Sequence, residues 1–171
     1  MPLQPGAAEA LVVERVVVLG RGGAGKSVFA QELGRLTDLP VIEVDKHFWD
    51  PELKPMRTGL WRERQVALAK ELRWVIDGDL GPYDDLEPRL RRADAVVVFD
   101  FPFWHCAWRA ARRGRERADF WWWVLRWRHT SRPLIMAAIA QWATEANVTV
   151  FTKRGEVTTW LLAEAATRRD S

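Results

Sequence analysis

The sequence predicts an α/β fold in which a parallel β-sheet is covered by helices on both faces. Five short runs rich in β-branched and aromatic residues recur along the chain, and segments with helical spacing of apolar residues separate them. The first run, residues 12–19, does not alternate between apolar and polar residues, which is typical of a strand buried on both faces. In such sheets ligands bind at the carboxyl ends of the strands.

The predicted elements alternate regularly along the chain. We expect strands at residues 12–19, 41–45, 73–77, 95–100 and 148–151. We expect helices at residues 28–36, 60–72, 82–92 (a turn with a short helix), 103–146 and 156–167. No internal repeat or interdomain linker interrupts this order, so residues 14–171 are expected to form one domain after a flexible lead-in of residues 1–13.

A glycine-rich motif follows the first predicted strand. Residues 20–27 read Gly-Arg-Gly-Gly-Ala-Gly-Lys-Ser, which matches the phosphate-binding pattern G-x-x-x-x-G-K-[ST] in full. The glycines allow backbone N–H groups to surround a phosphate, and the start of the next helix adds its positive dipole end. A glycine-rich turn that only links strand to helix is the alternative. The residues expected to bind a nucleotide here are Gly20, Gly22, Gly23, Ala24, Gly25, Lys26, Ser27 and Val28.

Carboxylates stand at or just beyond the ends of three predicted strands. Asp45, Asp77 and Asp100 would therefore share one edge of the sheet with the glycine-rich loop. Ser27 and one of Asp77 and Asp100 would bind Mg²⁺, whereas Asp45 would face a phosphate acceptor. Each of these aspartates has the alternative of bonding only to local backbone N–H groups in a turn.

The basic residues are concentrated in one part of the chain. Eight arginines lie between Arg109 and Arg132, opposed by only two acidic residues. Among them, Arg112 and Arg113 are candidates to stabilise charge during phosphoryl transfer, and a solvated helix face is the alternative. Arg154 follows the last strand, where it would contact a nucleotide base or remain a surface charge.

Eleven tryptophans stand out in the composition. Several lie one helical turn apart, which favours packing against the sheet. The three consecutive rings at 121–123, however, cannot all point to the same face. At least one ring of that run is therefore expected to be exposed or to lie in an interface, such as a homodimer contact. Stacking on the bases of single-stranded nucleic acid is the weaker alternative.

Composition also narrows the class of protein. No apolar run reaches the length of a membrane span, so no membrane partner is expected. The formal net charge is only +3, and the single cysteine excludes an internal disulfide. These features favour a cytoplasmic location.

Read together, the motifs resemble a family of small P-loop proteins that is related to adenylate kinases and includes the DNA topology modulation proteins. The resemblance extends from about residue 14 to residue 162. It includes the loop at 20–27, Asp45-x-x-Phe48-Trp49, and Trp74-Val75-Ile76-Asp77-Gly78. Further matches are residues 98–102, 131–133 and 154–157.

This resemblance implies a three-layer P-loop NTPase fold with strand order 2-3-1-4-5 and a short helical lid at about residues 103–133. In that order the third strand lies next to the loop strand, which favours Asp77 over Asp100 as the metal carboxylate. The chain departs from the family at Asp79 and Phe103, where an asparagine and a basic residue are usual. Its lid segment is also shorter.

The sequence thus predicts an ATP-binding protein, with an ATP- and Mg²⁺-dependent small-molecule kinase as the leading hypothesis. In it, Lys26, Asp45, Arg112 and Arg113 serve catalysis, and the acceptor is nucleotide-like. One alternative is a protein that uses ATP as a switch for binding, with DNA as a candidate partner. Another is a degenerate nucleotide binder with little turnover, which the short lid suggests.

Overall fold

The computed structural model describes residues 13–50, 52, 54–102, 104 and 125–169. The strands are β1 (Arg15–Gly20), β2 (Val41–Glu43), β3 (Trp74–Asp77), β4 (Ala95–Phe99) and β5 (Asn147–Phe151). The helices are α1 (Lys26–Thr37), α2 (Val44–Phe48), α3 (Thr58–Ala69), α4 (Glu87–Leu90), α5 (Ser131–Trp142) and α6 (Arg154–Arg169), with a 3₁₀ turn at Gly81–Tyr83.

The five strands form one parallel sheet in the order β2-β3-β1-β4-β5, so the predicted fold class and strand order are confirmed. β1 pairs with β3 on one side and with β4 on the other. The register places Val18 beside Asp77, and Glu43 of β2 also beside Asp77. The ends of β1, β2 and β3 therefore meet at one edge.

Two apolar layers cover the sheet, one on each face. Val17 and Leu19 of β1 pack into the layer formed with α3, α4 and α5, whereas Val16 and Val18 pack into the layer formed with α1 and α6. Both faces of the strand are thus buried, which explains why its sequence does not alternate between apolar and polar residues. The first layer contains the fully buried Trp61, Trp74 and Trp127, and the second contains Phe29, Phe99 and Phe151 in edge-to-face contact.

The region around residue 45 differs from the prediction of a strand. β2 ends at Glu43, and residues 44–48 form the short helix α2, which places Asp45 in a helix rather than at a strand end. Only three residues of β2 pair with β3, so few inter-strand hydrogen bonds would favour a longer strand. Val44 and Phe48, four residues apart, are both buried by this helical turn.

None of the helices in residues 13–50, 54–102 and 125–169 is long and apolar enough to cross a membrane.

Gly20 ends β1 at a point where the backbone of β4 comes very close. Its φ angle is +134°, and a Cβ atom built there would lie 2.5 Å from the carbonyl oxygen of Phe99. The next amide, Arg21 N–H, donates to that same oxygen at 3.2 Å. A side chain at this position would therefore force β1 and β4 apart and displace the loop that follows.

We expect Gly20→Ala to lower the free energy of unfolding by at least about 2 kcal/mol, because it combines an overlap with backbone and an unfavourable φ. Urea unfolding followed by circular dichroism measures this change. Gly59→Ala is the matched control, since a Cβ at that helical position meets nothing within 4 Å. That variant should be stabilised by up to about 1 kcal/mol. Equal stabilities for the two variants would contradict the close approach at Gly20.

Candidate functional site

The glycine-rich motif forms the loop between β1 and α1. Gly23 and Gly25 have positive φ angles of 76° and 99°, which glycine adopts without strain. Gly25 is the N-cap of α1, and no side chain caps this helix end. The N–H groups of the first turn, which begins at Lys26, are therefore available to an anion.

Lys26 lies across this loop. Its Nζ donates to the carbonyl oxygen of Gly20 at 2.8 Å and to that of Arg21 at 3.1 Å. Both partners belong to the loop itself, so the ammonium group is held across the loop. That Lys26 contacts a bound phosphate stays a prediction.

Arg21, the second residue of the motif, points away from the loop. It is 1% exposed, and its guanidinium group donates to the carbonyl of Phe101 at 3.2 Å and lies 5.5 Å from the ring centre of Trp127. The hydrogen bond connects the glycine-rich loop to the segment after β4, and the cation–π contact connects it to the turn before α5. The sequence alone gave no indication of this structural role.

Asp77 lies at the end of β3, beside Ser27. Burial raises the pKa of Asp77, and the Ser27 hydroxyl and the Lys26 charge oppose this effect less strongly. The Oδ1 atom of Asp77 is buried and has no hydrogen-bond partner among the described residues. A buried, unsatisfied carboxylate oxygen next to a hydroxyl is a suitable pair of ligands for Mg²⁺.

Asp100, the other metal candidate, is already engaged on both carboxylate oxygens. Oδ1 accepts from Nε of Arg128 at 2.9 Å, and Oδ2 accepts from Nε of Arg132 at 2.8 Å. Arg128 also donates to the backbone carbonyl of Asp100 at 3.1 Å. Of the two aspartates, Asp77 is therefore the one with a free oxygen.

Asp45 lies in α2, on the side of the loop away from β4. The surrounding chain removes water from its carboxyl group and raises the pKa of Asp45, against the effects of a hydrogen bond from the Trp49 side chain and of the nearby Lys26 charge. Lys26 also lowers the pKa values of Asp77 and Asp79, which burial raises more strongly. The charge of Lys26 thus acts on all three carboxyl groups.

A buried ion pair supports the loop that follows β3. Arg89 is fully buried, and its NH2 group donates to Asp84 at 2.7 Å and to the carbonyl of Gly78 at 2.9 Å. Asp84 also accepts from the side-chain amide of Gln65 at 3.0 Å and from the amide of Leu80 at 3.1 Å. This network fixes the backbone that carries Asp77 and Asp79.

Two cavities lie near the ends of the strands, and the first of them adjoins the glycine-rich loop. One, of about 230 Å³, is lined by Ala24, Gly25, Val28 and Arg154, so Arg154 lies close to the glycine-rich loop. The other, of about 710 Å³, lies between the loop after β3 and α5.

Several predicted residues lie outside the described part of the chain. These are Arg112 and Arg113, the tryptophan run at 121–123 on which the predicted dimer contact depends, and most of the predicted lid at 103–133. Residues 131–133, at the end of the predicted lid segment, form the start of α5. Ile135 and Ile139 of this helix pack into the core.

No protein-family model matches the chain, and no curated protein matches its sequence. Solved structures do resemble its fold. A shikimate kinase from Acinetobacter baumannii in complex with shikimate has a TM-score of 0.54 at 16% identity, over 88% of this chain and 90% of that one. A shikimate kinase from Bacteroides thetaiotaomicron has a TM-score of 0.53 at 17% identity, over 88% and 95% of the two chains.

A third similar structure is a gluconokinase from Sinorhizobium meliloti 1021, with a TM-score of 0.50 at 16% identity over 90% of this chain and 91% of that one. At these identities the likeness concerns the fold. The chain has the fold of small P-loop kinases.

Proposed function

We propose that this protein is an ATP-dependent kinase that phosphorylates a small molecule. The observation that carries the proposal is the buried Asp77 carboxylate, whose Oδ1 has no hydrogen-bond partner among the described residues, at the end of the strand next to β1. A loop that only linked β1 to α1 would have no need of a buried carboxylate with an unsatisfied oxygen at this place. The kinase fold of the neighbours and the cavity beside the loop support the same function.

Each part of the site has its own role in binding the nucleotide. The smaller cavity receives the base, with Val28 and Arg154 on its wall, and the N–H groups at the start of α1 receive the phosphates. Lys26 then exchanges its two carbonyl partners for phosphate oxygens and stabilises their charge in the transition state. Ser27 and Asp77 would hold Mg²⁺, which when bound neutralises charge on the outer phosphates.

Asp45 faces the acceptor in this proposal. The acceptor hydroxyl oxygen bonds to the γ-phosphorus as the bond from that phosphorus to the bridging oxygen breaks, and ADP leaves with the bond electrons. Asp45 takes the hydroxyl proton. Since partial burial raises the pKa of Asp45, its carboxylate is a better proton acceptor than an ordinary aspartate.

The test is ADP release in the presence of ATP and Mg²⁺ across a panel of hydroxylated small molecules and nucleoside monophosphates. A kinase releases ADP at a rate that depends on one class of acceptor, and phosphorylated acceptor appears in equal amount. ADP release that no acceptor changes would contradict the proposal.

We expect Asp77→Asn to raise the Mg²⁺ concentration needed for half-maximal activity at least about tenfold, because it removes the proposed metal carboxylate. Asp100→Asn should leave that concentration unchanged, since Asp100 is bonded to Arg128 and Arg132. Magnesium titrations of ADP release compare the two. The reverse order would assign the metal to Asp100.

The same variant has a consequence for stability. Burial raises the pKa of Asp77 in the folded protein above its value in the unfolded chain. Between these two pKa values the unfolded chain binds fewer protons than the folded one, so ionisation of Asp77 opposes folding at neutral pH. Asp77→Asn should therefore be at least as stable as the parent protein at pH 7.

A further inference from the structure

A pair of arginines is bonded to the aspartate that follows β4. Arg128 and Arg132 each donate from Nε to the carboxylate of Asp100, to different oxygens, at 2.9 and 2.8 Å. The side chain of Asp100 is only 8% exposed, whereas those of Arg128 and Arg132 are 46% and 38% exposed. The carboxylate is thus buried beneath two cations that remain open to solvent.

One carboxylate does not neutralise two guanidinium groups. Arg128 alone already makes two bonds to Asp100, since it also donates from Nη2 to the backbone carbonyl at 3.1 Å. Arg132 adds a second positive charge four residues along, a spacing at which like charges repel in a helical turn. Within the described chain, neither arginine has a second ion pair. One positive charge is therefore left over, which an anionic ligand would compensate.

The two arginines also keep hydrogen-bond donors for such a ligand. Both are anchored to the Asp100 carboxylate through Nε, so Nη1 of Arg128 and both terminal nitrogens of Arg132 donate to no other described residue. The terminal N–H groups of a guanidinium group match the oxygens of a phosphate. Because the Nε atoms are already held, less side-chain entropy is lost when the ligand binds.

The pair lies beside the glycine-rich loop. Asp100 stands between Phe99 and Phe101, whose carbonyl oxygens accept from the backbone amide and from the guanidinium group of Arg21, both at 3.2 Å. Lys26 in turn donates to the carbonyl of Arg21 at 3.1 Å. A continuous chain of contacts thus leads from the two arginines through Asp100 and Arg21 to the ammonium group of Lys26.

β4 borders the side of the loop to which we assign the nucleotide. Phe99 and Phe101 line the smaller cavity together with residues of the loop, and both pack into the layer formed with α1 and α6. Asp100 lies between them, on the side of β1 opposite to Asp77. A nucleotide with its base in this cavity and its phosphates on the loop therefore passes close to Asp100.

We propose that Arg128 and Arg132 bind the terminal phosphate group of the nucleotide. That phosphate would lie between these arginines on one side of β1 and the metal site at Asp77 on the other. The inference rests on the nucleotide site of the proposed kinase and assigns to it two residues of the arginine-rich stretch at 109–132. The candidates that the sequence favoured there, Arg112 and Arg113, lie outside the described residues.

An acidic group on the phosphate acceptor would offer the arginines the same chemistry. The strand order favours the nucleotide, because Asp45, which we assign to the acceptor, follows β2 at the far edge of the sheet, whereas Asp100 follows β4. The test must nevertheless distinguish the two sources.

Calorimetric titrations with ATP and with ADP, in the presence of Mg²⁺ and without acceptor, isolate the terminal phosphate, because the two nucleotides differ only in that group. The unaltered protein should bind ATP at least about tenfold more tightly than ADP. Arg128→Gln and Arg132→Gln should each weaken ATP binding at least about tenfold and ADP binding less than about threefold. Equal affinities of the unaltered protein for ATP and ADP would overturn the inference, so a folding defect in a variant does not obscure the result.

The same substitution at Arg35 is the matched control. Arg35 lies in the last turn of α1, at the end of the helix away from the loop, and its side chain is 67% exposed. Its ion pair with Glu32, at 2.7 Å, is of the surface type that contributes little to stability. Arg35→Gln should therefore leave both affinities within about twofold of the unaltered protein.

The outcomes separate this inference from the proposed function. A selective loss of ATP affinity in the two variants supports the inference even if no acceptor changes ADP release, a result that overturns only the kinase. An equal loss of ATP and ADP affinity, or a change confined to KM for the acceptor, overturns the assignment of the arginines and leaves the kinase to the acceptor panel. If the unaltered protein binds neither nucleotide, both are overturned.

Discussion

Lys26→Ala is expected to lower acceptor-dependent ADP release by about 100- to 1,000-fold, because it removes the charge that lies at the phosphate position. The fold should survive the change. Among the described residues, Lys26 donates hydrogen bonds only to the carbonyls of Gly20 and Arg21. Initial rates of ADP release, together with thermal unfolding followed by circular dichroism, measure both parts of the prediction.

Lys46→Ala is the matched control for Lys26→Ala. Lys46 is exposed and forms an ion pair with Glu43 at 2.8 Å, three residues away. Such surface pairs contribute little to stability, and this one lies outside the phosphate loop, so its rate should stay within about twofold of the parent protein. A Lys26→Ala protein that kept more than about a tenth of the activity would contradict the role of Lys26.

Arg89→Ala is expected to lower the free energy of unfolding by about 3–5 kcal/mol, because it leaves the buried Asp84 carboxylate without its cationic partner. The side chains of this pair are 0% and 3% exposed. The variant also loses the hydrogen bond to the Gly78 carbonyl, so the backbone that carries Asp77 and Asp79 is released. Urea unfolding gives the change in free energy directly.

Arg91→Ala controls for the loss of an arginine in the same part of the chain. Its side chain is 54% exposed, and its pairing with Glu87 at 2.9 Å spans one helical turn. We expect this variant to lose less than about 1 kcal/mol. If the two variants differed by less than about 1 kcal/mol, the network around Arg89 would not support the loop as we describe.

Much of the fold was predictable because its signals are local. The β-branched run before the loop and the apolar spacing after it predict a strand and a helix independently of the rest of the chain. The order of the strands depends on pairing between distant segments, and it came from the resemblance to a known family. The short helix at residues 44–48 was missed, because a run such as Val-Ile-Glu-Val-Asp fits a strand equally well.

The site was predictable to the extent that it lies on the motif. Sequence placed Lys26, Ser27 and the aspartates at one edge of the sheet, but it left Asp77 and Asp100 as competing metal ligands. The difference between them depends on Arg128 and Arg132, which lie 28 and 32 residues from Asp100. Arg89 was missed for a similar reason, since its partners lie both in the loop after β3 and in α3, where Gln65 is 24 residues away.

The carboxyl groups around Lys26 give the site a local electrostatic character opposite to that of the chain, which carries a net charge of +3. Asp45, Asp77 and Asp79 all lie close enough to feel that one ammonium group. On the proposed function, an uncomplexed nucleoside triphosphate would meet stronger repulsion there than its magnesium complex, which carries less negative charge, so the site would favour the complex at the moment of encounter. This selection should weaken as added salt shortens the screening length from about 8 Å at physiological ionic strength to about 3 Å at 1 M.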